Sequence, residues 1–212
     1  RSDVIRQVQT ALCDARADGI RLLYLTLPSA DPAHRQAIEG LGPRYVGCRV
    51  EYVKRLPPPL PDLKDKGVVL CHSFTPMLDA LAQQSGQFSR FRVDPGFHNR
   101  EFERLYREWL QSSLRGDAGK CVYIAGTADA PEGLVTLESD RAIRIGLLAV
   151  DARQRGQGLG RRLLAATERH AHDRQIDEIL VATQAENQAA CCFYEKCGFS
   201  RAEERDYFHA WL

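Results

Sequence analysis

The sequence predicts an α/β (α+β) fold, a sheet flanked by helices. Three observations lead there. Helical and strand periodicities alternate along the chain. One order of elements (helix, strand, capped helix, glycine, strand) occurs early and again in the last third. An apolar run, Ile143 to Val150, enters a glycine-rich turn from which a further helical pattern starts.

The elements follow in order. Ser2 to Ala17 is a helix with Val4, Ile5, Val8, Leu12 and Ala15 on one face; Ser2 caps it and Asp18-Gly19 ends it. Ile20 to Leu27, rich in branched residues, reads as a buried strand. Asp31-Pro32 caps and opens a helix that ends at Gly42, and Arg44 to Leu56 is a strand. Leu56-Pro57-Pro58-Pro59-Leu60-Pro61 favours stiff polyproline geometry and sets a domain boundary near residue 62. Residues 1–62 are expected as a small α/β scaffold with no cofactor site, and 63–212 as the second domain.

In that second part Val68 to His72 is a strand and Thr75-Pro76 starts a helix with Met77, Leu78, Leu81 and Ala82. Asn99 to Arg115 is a helix with Phe102, Leu105, Tyr106, Trp109, Leu110 and Ser113 on one face. Strands follow at Lys120 to Ala125, Glu132 to Glu138 and Arg144 to Val150. A helix from Leu159 to His172 turns Leu159, Leu163, Ala166 and His170 inward. Glu178 to Thr183 and Arg201 to Trp211 are the last strands. Adding 156 to a residue number carries Ile20 to Ile176, Asp31 to Asn187, Leu41 to Cys197 and Gly42 to Gly198, so the first stretch repeats this architecture. Tyr194 is matched there by Ile38.

Composition bounds the function. Of 212 residues 44% are apolar and 27% charged, an ordinary globular balance, and the formal charge of +1 gives no bulk electrostatic case for nucleic acid or an anionic membrane. No apolar run approaches a membrane span and no signal peptide opens the chain, so a cytoplasmic protein without membrane insertion is expected. The chain opens on Arg1, not Met, which leaves a trimmed N-terminus open. Seven cysteines form no C-x-x-C pair and none has zinc spacing. No metal is expected, and buried thiols in a reducing compartment account for them. No residue near them activates a nucleophilic thiol.

The glycine-rich turn is an anion site in outline. The first-turn N–H groups of a helix lack intrahelical partners, and the helix dipole adds roughly half a positive charge there. Gly158 and Gly160 let a diphosphate approach the backbone without a Cβ in the way. No Lys-Ser or Lys-Thr follows, and the G-x-G-x-x-G spacing is absent, which excludes the common nucleotide motifs. What is present is R-x-x-G-x-G, as Arg155, Gly158 and Gly160. It resembles the pyrophosphate loop of the GCN5-related N-acetyltransferase (GNAT) superfamily. Asn187-Gln188-Ala189-Ala190-Cys191-Cys192-Phe193-Tyr194-Glu195-Lys196-Cys197-Gly198-Phe199 resembles the N-x-x-A-x-x-x-Y-x-x-x-G-F helix of the same family. Asn187 and Tyr194 are two helical turns apart, on one face.

The resemblance covers residues 66 to 212. It implies a mixed, mostly antiparallel sheet with a bulged, splayed central strand pair, and acetyl-CoA as co-substrate. Leu148, Ala149 and Val150 would face the pantetheine arm, with an N–H near Leu148 steadying a developing oxyanion. Arg155, Gly156, Gln157, Gly158, Leu159, Gly160 and Arg161 would hold the diphosphate, and Asn187 would bond the arm. Tyr194 is the implied general acid, since a phenol and an alkyl thiol have similar pKa values, about 10 for the phenol. Glu138 occupies the usual place of the base; His98, His209 and a water chain stay open beside it.

Ser89-Arg90-Phe91-Arg92-Val93-Asp94-Pro95, Leu105 to Leu110 and Arg144 to Ala149 resemble the TDP-fucosamine acetyltransferases of bacterial surface-polysaccharide synthesis. That resemblance implies a nucleotide-sugar acceptor, a 4-amino-4,6-dideoxyhexose. Arg90, Phe91 and Arg92, with Arg100, would border it, since Arg forks suit phosphate. The glycine loop departs from those relatives and has the ordinary form of the superfamily. An acetyltransferase for protein N-termini or another small amine, and a coenzyme-binding module without catalysis, are the alternatives. A homodimer stays open.

Overall fold

The computed structural model describes residues 2–57 and 67–212. The elements are α1 (Ser2–Ala17), β1 (Leu22–Pro28), α2 (Pro32–Glu39), β2 (Arg44–Arg55), β3 (Val68–Cys71), α3 (Pro76–Ser85), α4 (Arg90–Val93), α5 (Glu101–Arg115), β4 (Lys120–Gly126), β5 (Pro131–Ser139), β6 (Ile143–Val150), α6 (Leu159–Asp173), β7 (Glu178–Gln184), α7 (Gln188–Lys196) and β8 (Ser200–Trp211). One eight-stranded sheet runs β1-β8-β2-β7-β6-β5-β4-β3. All pairs are antiparallel except β6 with β7. No helix among the described residues is long and apolar enough to cross a membrane.

Alternation along the strands sorts side chains to two faces. Val50, Tyr52, Ile143, Ile145 and Ile179 meet Leu163 and Leu164 of α6 and Tyr194 of α7. Val122, Ile124, Leu134 and Leu147 take the opposite side, under Leu78 of α3 and Phe102, Tyr106 and Leu110 of α5. A third cluster joins Val8 and Leu12 of α1 and Ile38 of α2 to Phe208 and Ala210 of β8. Burying one such side chain contributes about 1.5–3 kcal/mol.

Two expectations change here. The strand after Gly19 is an edge strand, not a buried one, and Tyr24 on it is 43% exposed. The first stretch also has no sheet or core of its own. β2 lies between β8 and β7, and the α1–α2 cluster is completed by residues of the last strand. A two-strand unit is marginal alone, so it finishes its core on a neighbour. The expected boundary near residue 62, the prolines from Pro58 to Pro61 and the side chain of Ser2 lie outside the described residues.

The repeat is visible in the pairing. Adding 156 carries β1 onto β7, and β2 onto β8, residue for residue at both ends. The copies exchange partners, since β1 pairs with β8 and β7 with β2. Leu22↔Trp211 in one ladder corresponds to Arg55↔Glu178 in the other. The central β2–β8 ladder is symmetric about Arg49↔Arg205, with irregularities at Tyr45/Gly47 and Glu51/Tyr52 on either side. A pseudo-twofold axis therefore passes through that arginine pair.

Candidate active site

The parallel β6–β7 pair holds only from Ile143↔Ile179 to Ile145↔Val181 and then parts. The cause is local. Against β5, Val135 faces Leu148 while Leu137 faces Ile145, so β6 carries an extra residue at Gly146-Leu147. Thr136 Oγ1 accepts the Leu147 N–H at 2.9 Å and fixes the bulge. A Cβ on Gly146 would stand 2.8 Å from that hydroxyl oxygen and 2.9 Å from Trp109 Nε1, which explains the glycine.

Beyond the split lies a cavity of about 770 Å³. Leu148, Ala149 and Val150 form one wall and Asn187, Ala190 and Phe193 another. Arg155, Gly156, Gly158, Leu159, Gly160 and Arg161 close its far end. Gly156 and Gly158 have φ of +80° and +81°, and a Cβ on either would meet nothing within 4 Å. They are needed for backbone conformation, and they leave open space beside the first turn of α6. Gly158 caps that helix with no side-chain hydrogen bond, so its first N–H groups remain available to a ligand. Arg153 bonds the Asp151 carboxylate and holds it at about pKa 2, so that acid is already compensated. The donor set suits a diphosphate followed by an extended arm.

Some assignments shift. Gly160 makes room for a ring, because a Cβ there would lie 3.0 Å from Phe193. Gln157 is exposed, bonds Gln154 at 2.9 Å and does not border the cavity. Asn187 borders it, yet its side-chain oxygen accepts the Ala190 N–H at 3.2 Å as the cap of α7. The Val150 carbonyl is engaged by Gln84 Nε2 at 2.8 Å.

A second cavity, of about 370 Å³, opens on the α5 side of the sheet. Glu138, Arg90 and Phe91 border it, with Trp109, Lys120 and Arg144. Arg90 stands over the rings of Tyr24, Phe91 and Tyr207 at 4.6, 4.8 and 4.8 Å. Arg92 is not there; it turns to Glu103 at 3.4 Å and stacks on Phe102. Arg100, at φ 62°, starts α5 away from the cavity. Tyr106 is buried as a core residue, whereas Trp109 is 38% exposed at the cavity.

Tyr194, Leu148, Asn187, Ala190 and Ser85 border both cavities. Tyr194 is buried between Tyr52 and Phe199, with ring centroids 5.8 and 5.6 Å away. Burial raises its pKa well above the ordinary phenol value, so the hydroxyl stays protonated and is a donor.

The two histidines weighed as bases fall outside both cavities. His98 is exposed and bonds Gly96 O at 3.0 Å. His209 is buried, with Nδ1 2.6 Å from Asp94 Oδ2; Trp211 Nε1 donates to the same oxygen at 3.0 Å. This clamp ties the segment after α4 to β8. Three thiols are held protonated: burial pushes Cys121 up to about 11 and raises Cys48 and Cys197. Cys48, Cys71 and Cys191 are buried, but Cys13 and Cys192 are exposed, so burial explains only part of the set. No cluster suited to a metal occurs among the described residues.

Sequence reasoning missed Arg49 and Glu51 of β2 and Tyr207 of β8, which line the smaller cavity. A signal existed. Arg49 and Glu51 alternate with Cys48, Val50 and Tyr52, so one face of an otherwise apolar strand is charged.

Comparison with known proteins bears on the family and the fold. The chain is 25% identical over 131 residues to the spore coat polysaccharide biosynthesis protein SpsD of Bacillus subtilis, covering 62% of this chain and 45% of that protein. It is 35% identical over 83 residues to N-alpha-acetyltransferase 30 of Saccharomyces cerevisiae, covering 36% of this chain and 47% of that one. The chain thus spans under half the length of these two relatives. A tandem GNAT protein from the clavulanic acid biosynthesis pathway shares the fold, with a TM-score of 0.54 and 15% identity, over 95% of this chain and 67% of that one. The model of the acetyltransferase (GNAT) family matches residues 79–199, more than half of the 212. With the parted strands, the glycine loop and the α7 motif in place, the chain belongs to the GNAT family of acetyltransferases.

Proposed function

We propose that the protein is an N-acetyltransferase that takes acetyl-CoA in the larger cavity and a primary amine in the smaller. The observation that carries this reading is the position of Tyr194, which borders both cavities where β6 and β7 part. Acetyl-CoA supplies an acetyl thioester. Arg155, Arg161 and the open N–H groups of α6 hold its diphosphate. The walls at Leu148 to Val150 and at Asn187 orient the arm toward the split. As the amine nitrogen bonds the acetyl carbon, its proton passes to Glu138 or to water beside it; the C–S bond breaks, Tyr194 gives its proton to the departing sulfur, and solvent reprotonates Tyr194. Burial raises the phenol pKa, so Tyr194 carries the proton it donates.

The acceptor we favour is a nucleotide-linked amino sugar acetylated for surface polysaccharide. Arg49, Arg90, Lys120 and Arg144 around the smaller cavity suit an acceptor that carries its own phosphates. The relative named for spore coat polysaccharide biosynthesis supports this reading. A protein N-terminus is the second reading, supported by the N-alpha-acetyltransferase likeness. Thiol release from acetyl-CoA, measured across nucleotide 4-amino sugars, polyamines and N-terminal peptides, separates them. Turnover of the nucleotide sugars well above the others is expected. Peptide turnover alone would move the function to the second reading, and release with none of them would reject both.

A further inference from the structure

A carboxylate reaches the smaller cavity from a part of the chain that the family motifs do not touch. Glu51 lies on β2, on the strand face opposite Val50 and Tyr52. Its Oε2 is 3.4 Å from Arg49 Nη1 and its Oε1 is 3.5 Å from Arg144 Nη1, both at the long end of ion-pair contact. Arg90, on the same cavity, faces aromatic rings and has no carboxylate against it among the described residues.

Register separates Glu51 from Glu138. The β6–β7 pairing ends at Ile145↔Val181. Glu51 is paired with Ala182, the first β7 residue beyond that point. Glu138 is paired with Arg144, which is paired with Leu180 on the closed side. Two residues along a strand are roughly 6.6 Å. The backbone of Glu51 therefore lies level with the parted strands, and its carboxylate lines the cavity that Tyr194 also borders.

Resting on the amine-acetylating reading above, we propose that Glu51 receives the ammonium of the acceptor, and that the acceptor is an amine tethered to an anion. On entry the ions exchange partners. The ammonium takes Glu51, and the anionic group takes the guanidinium groups of Arg49 or Arg144 that Glu51 had occupied, with Arg90 beside them. Every charge stays compensated, which a half-buried network requires. An acceptor lacking either charge leaves one partner unpaired. The first copy of the repeat would then be part of the active site.

The test uses the full chain and the amine it turns over best. Glu51→Gln should raise the acceptor KM at least tenfold and leave the acetyl-CoA KM within twofold, with an unchanged melting temperature. Glu51→Asp should recover part of the loss. Glu203→Gln, at the residue paired with Glu51 across β2 and β8, should move neither constant, because Glu203 lines neither cavity. Removing the anionic group from the acceptor should raise its KM with the wild-type enzyme. An acceptor KM within twofold of wild type in Glu51→Gln overturns the proposal and leaves the acetyltransferase reading standing. Should Glu51→Gln fail to fold, Glu51→Asp decides: a threefold rise in acceptor KM upholds the proposal and no rise overturns it. Failure of the wild type to acetylate any amine removes the reading and this proposal together.

Discussion

In the first copy of the repeat α2 begins at Asp31, whose carboxylate accepts the His34 N–H at 2.9 Å. In the second, α7 begins at Asn187, whose side-chain oxygen accepts the Ala190 N–H at 3.2 Å. Both helices lead to a glycine at positive φ, 112° at Gly42 and 85° at Gly198. Both then enter a twelve-residue strand, β2 and β8. At the matched core position the first copy has Ile38 and the second Tyr194, both buried. Caps, turn glycines and ladder register are demands of the backbone, and both copies meet them. Among the residues the two copies share, the phenol occurs in the second alone. Architecture and chemistry are separable, and a substitution at matched positions should tell them apart.

The largest expected effect is at Tyr194. Tyr194→Phe should lower kcat roughly 100-fold or more if the phenol is the proton donor. The acetyl-CoA KM should stay within about threefold, in a steady-state thiol-release assay. Ile38→Ala should do the reverse. It should lower stability by about 2–5 kcal/mol in urea unfolding and leave kcat of the folded protein unchanged. Unaltered turnover in Tyr194→Phe would remove the proposed acid and erase the contrast.

Next is Gly158. Its φ of +81° disfavours any side chain, by about 1–2 kcal/mol for an L-residue. Gly158→Ala should therefore weaken acetyl-CoA binding about tenfold in calorimetry, by tilting the first turn of α6. Gly42→Ala, at φ +112° in the first copy, also strains the backbone and should lower stability without touching coenzyme affinity.

The third contrast is one of pH. Buried His170 bonds Tyr123 OH and Ser139 Oγ, each at 3.0 Å, and burial pushes its pKa down to about 4. The matched residue of α1, Asp14, is exposed. The unfolded chain binds the proton on His170 more readily than the folded one. The stability from neutral His170 is thus fully present above about pH 6.5 and falls as pH drops toward 4, by up to about 1.4 kcal/mol per unit. His170→Asn should flatten that slope in urea midpoints taken between pH 7 and 5. His209, whose pKa burial also lowers against the opposing pull of Asp94, leaves a residual slope.

The smallest effect is at the caps. Asp31→Ala and Asn187→Ala should each cost about 1 kcal/mol of stability. Only the second should raise the acetyl-CoA KM, because Asn187 alone borders the larger cavity. Equal kinetics in the two variants would make Asn187 a cap and nothing more.

Much of this was legible beforehand, for local reasons. The strand and helix positions follow from apolar period and capping chemistry, and the predicted limits of β8 and α6 fall within a residue of the observed ones. The loop residues from Arg155 to Arg161 line one cavity, except Gln157, because a turn into a helix fixes its own geometry. Arg92 was misjudged because its partner Glu103 lies on another helix. His209 was misjudged because Asp94 approaches it from a loop over a hundred residues earlier in the chain. Gln84 carries no sequence mark at all, yet it holds the Val150 carbonyl.

The sequence by itself determined the elements, the repeat of 156 positions and the glycine loop with its following helix, since all depend on neighbours within a few turns. Which strand lies beside which was decided only by the tertiary structure. The exchange that pairs β1 with β8 and β2 with β7 places Glu51 and Arg49 at the cavity. Backbone hydrogen bonds between strands carry no side-chain identity, so register is set by which apolar faces can be buried together, and that depends on the whole chain.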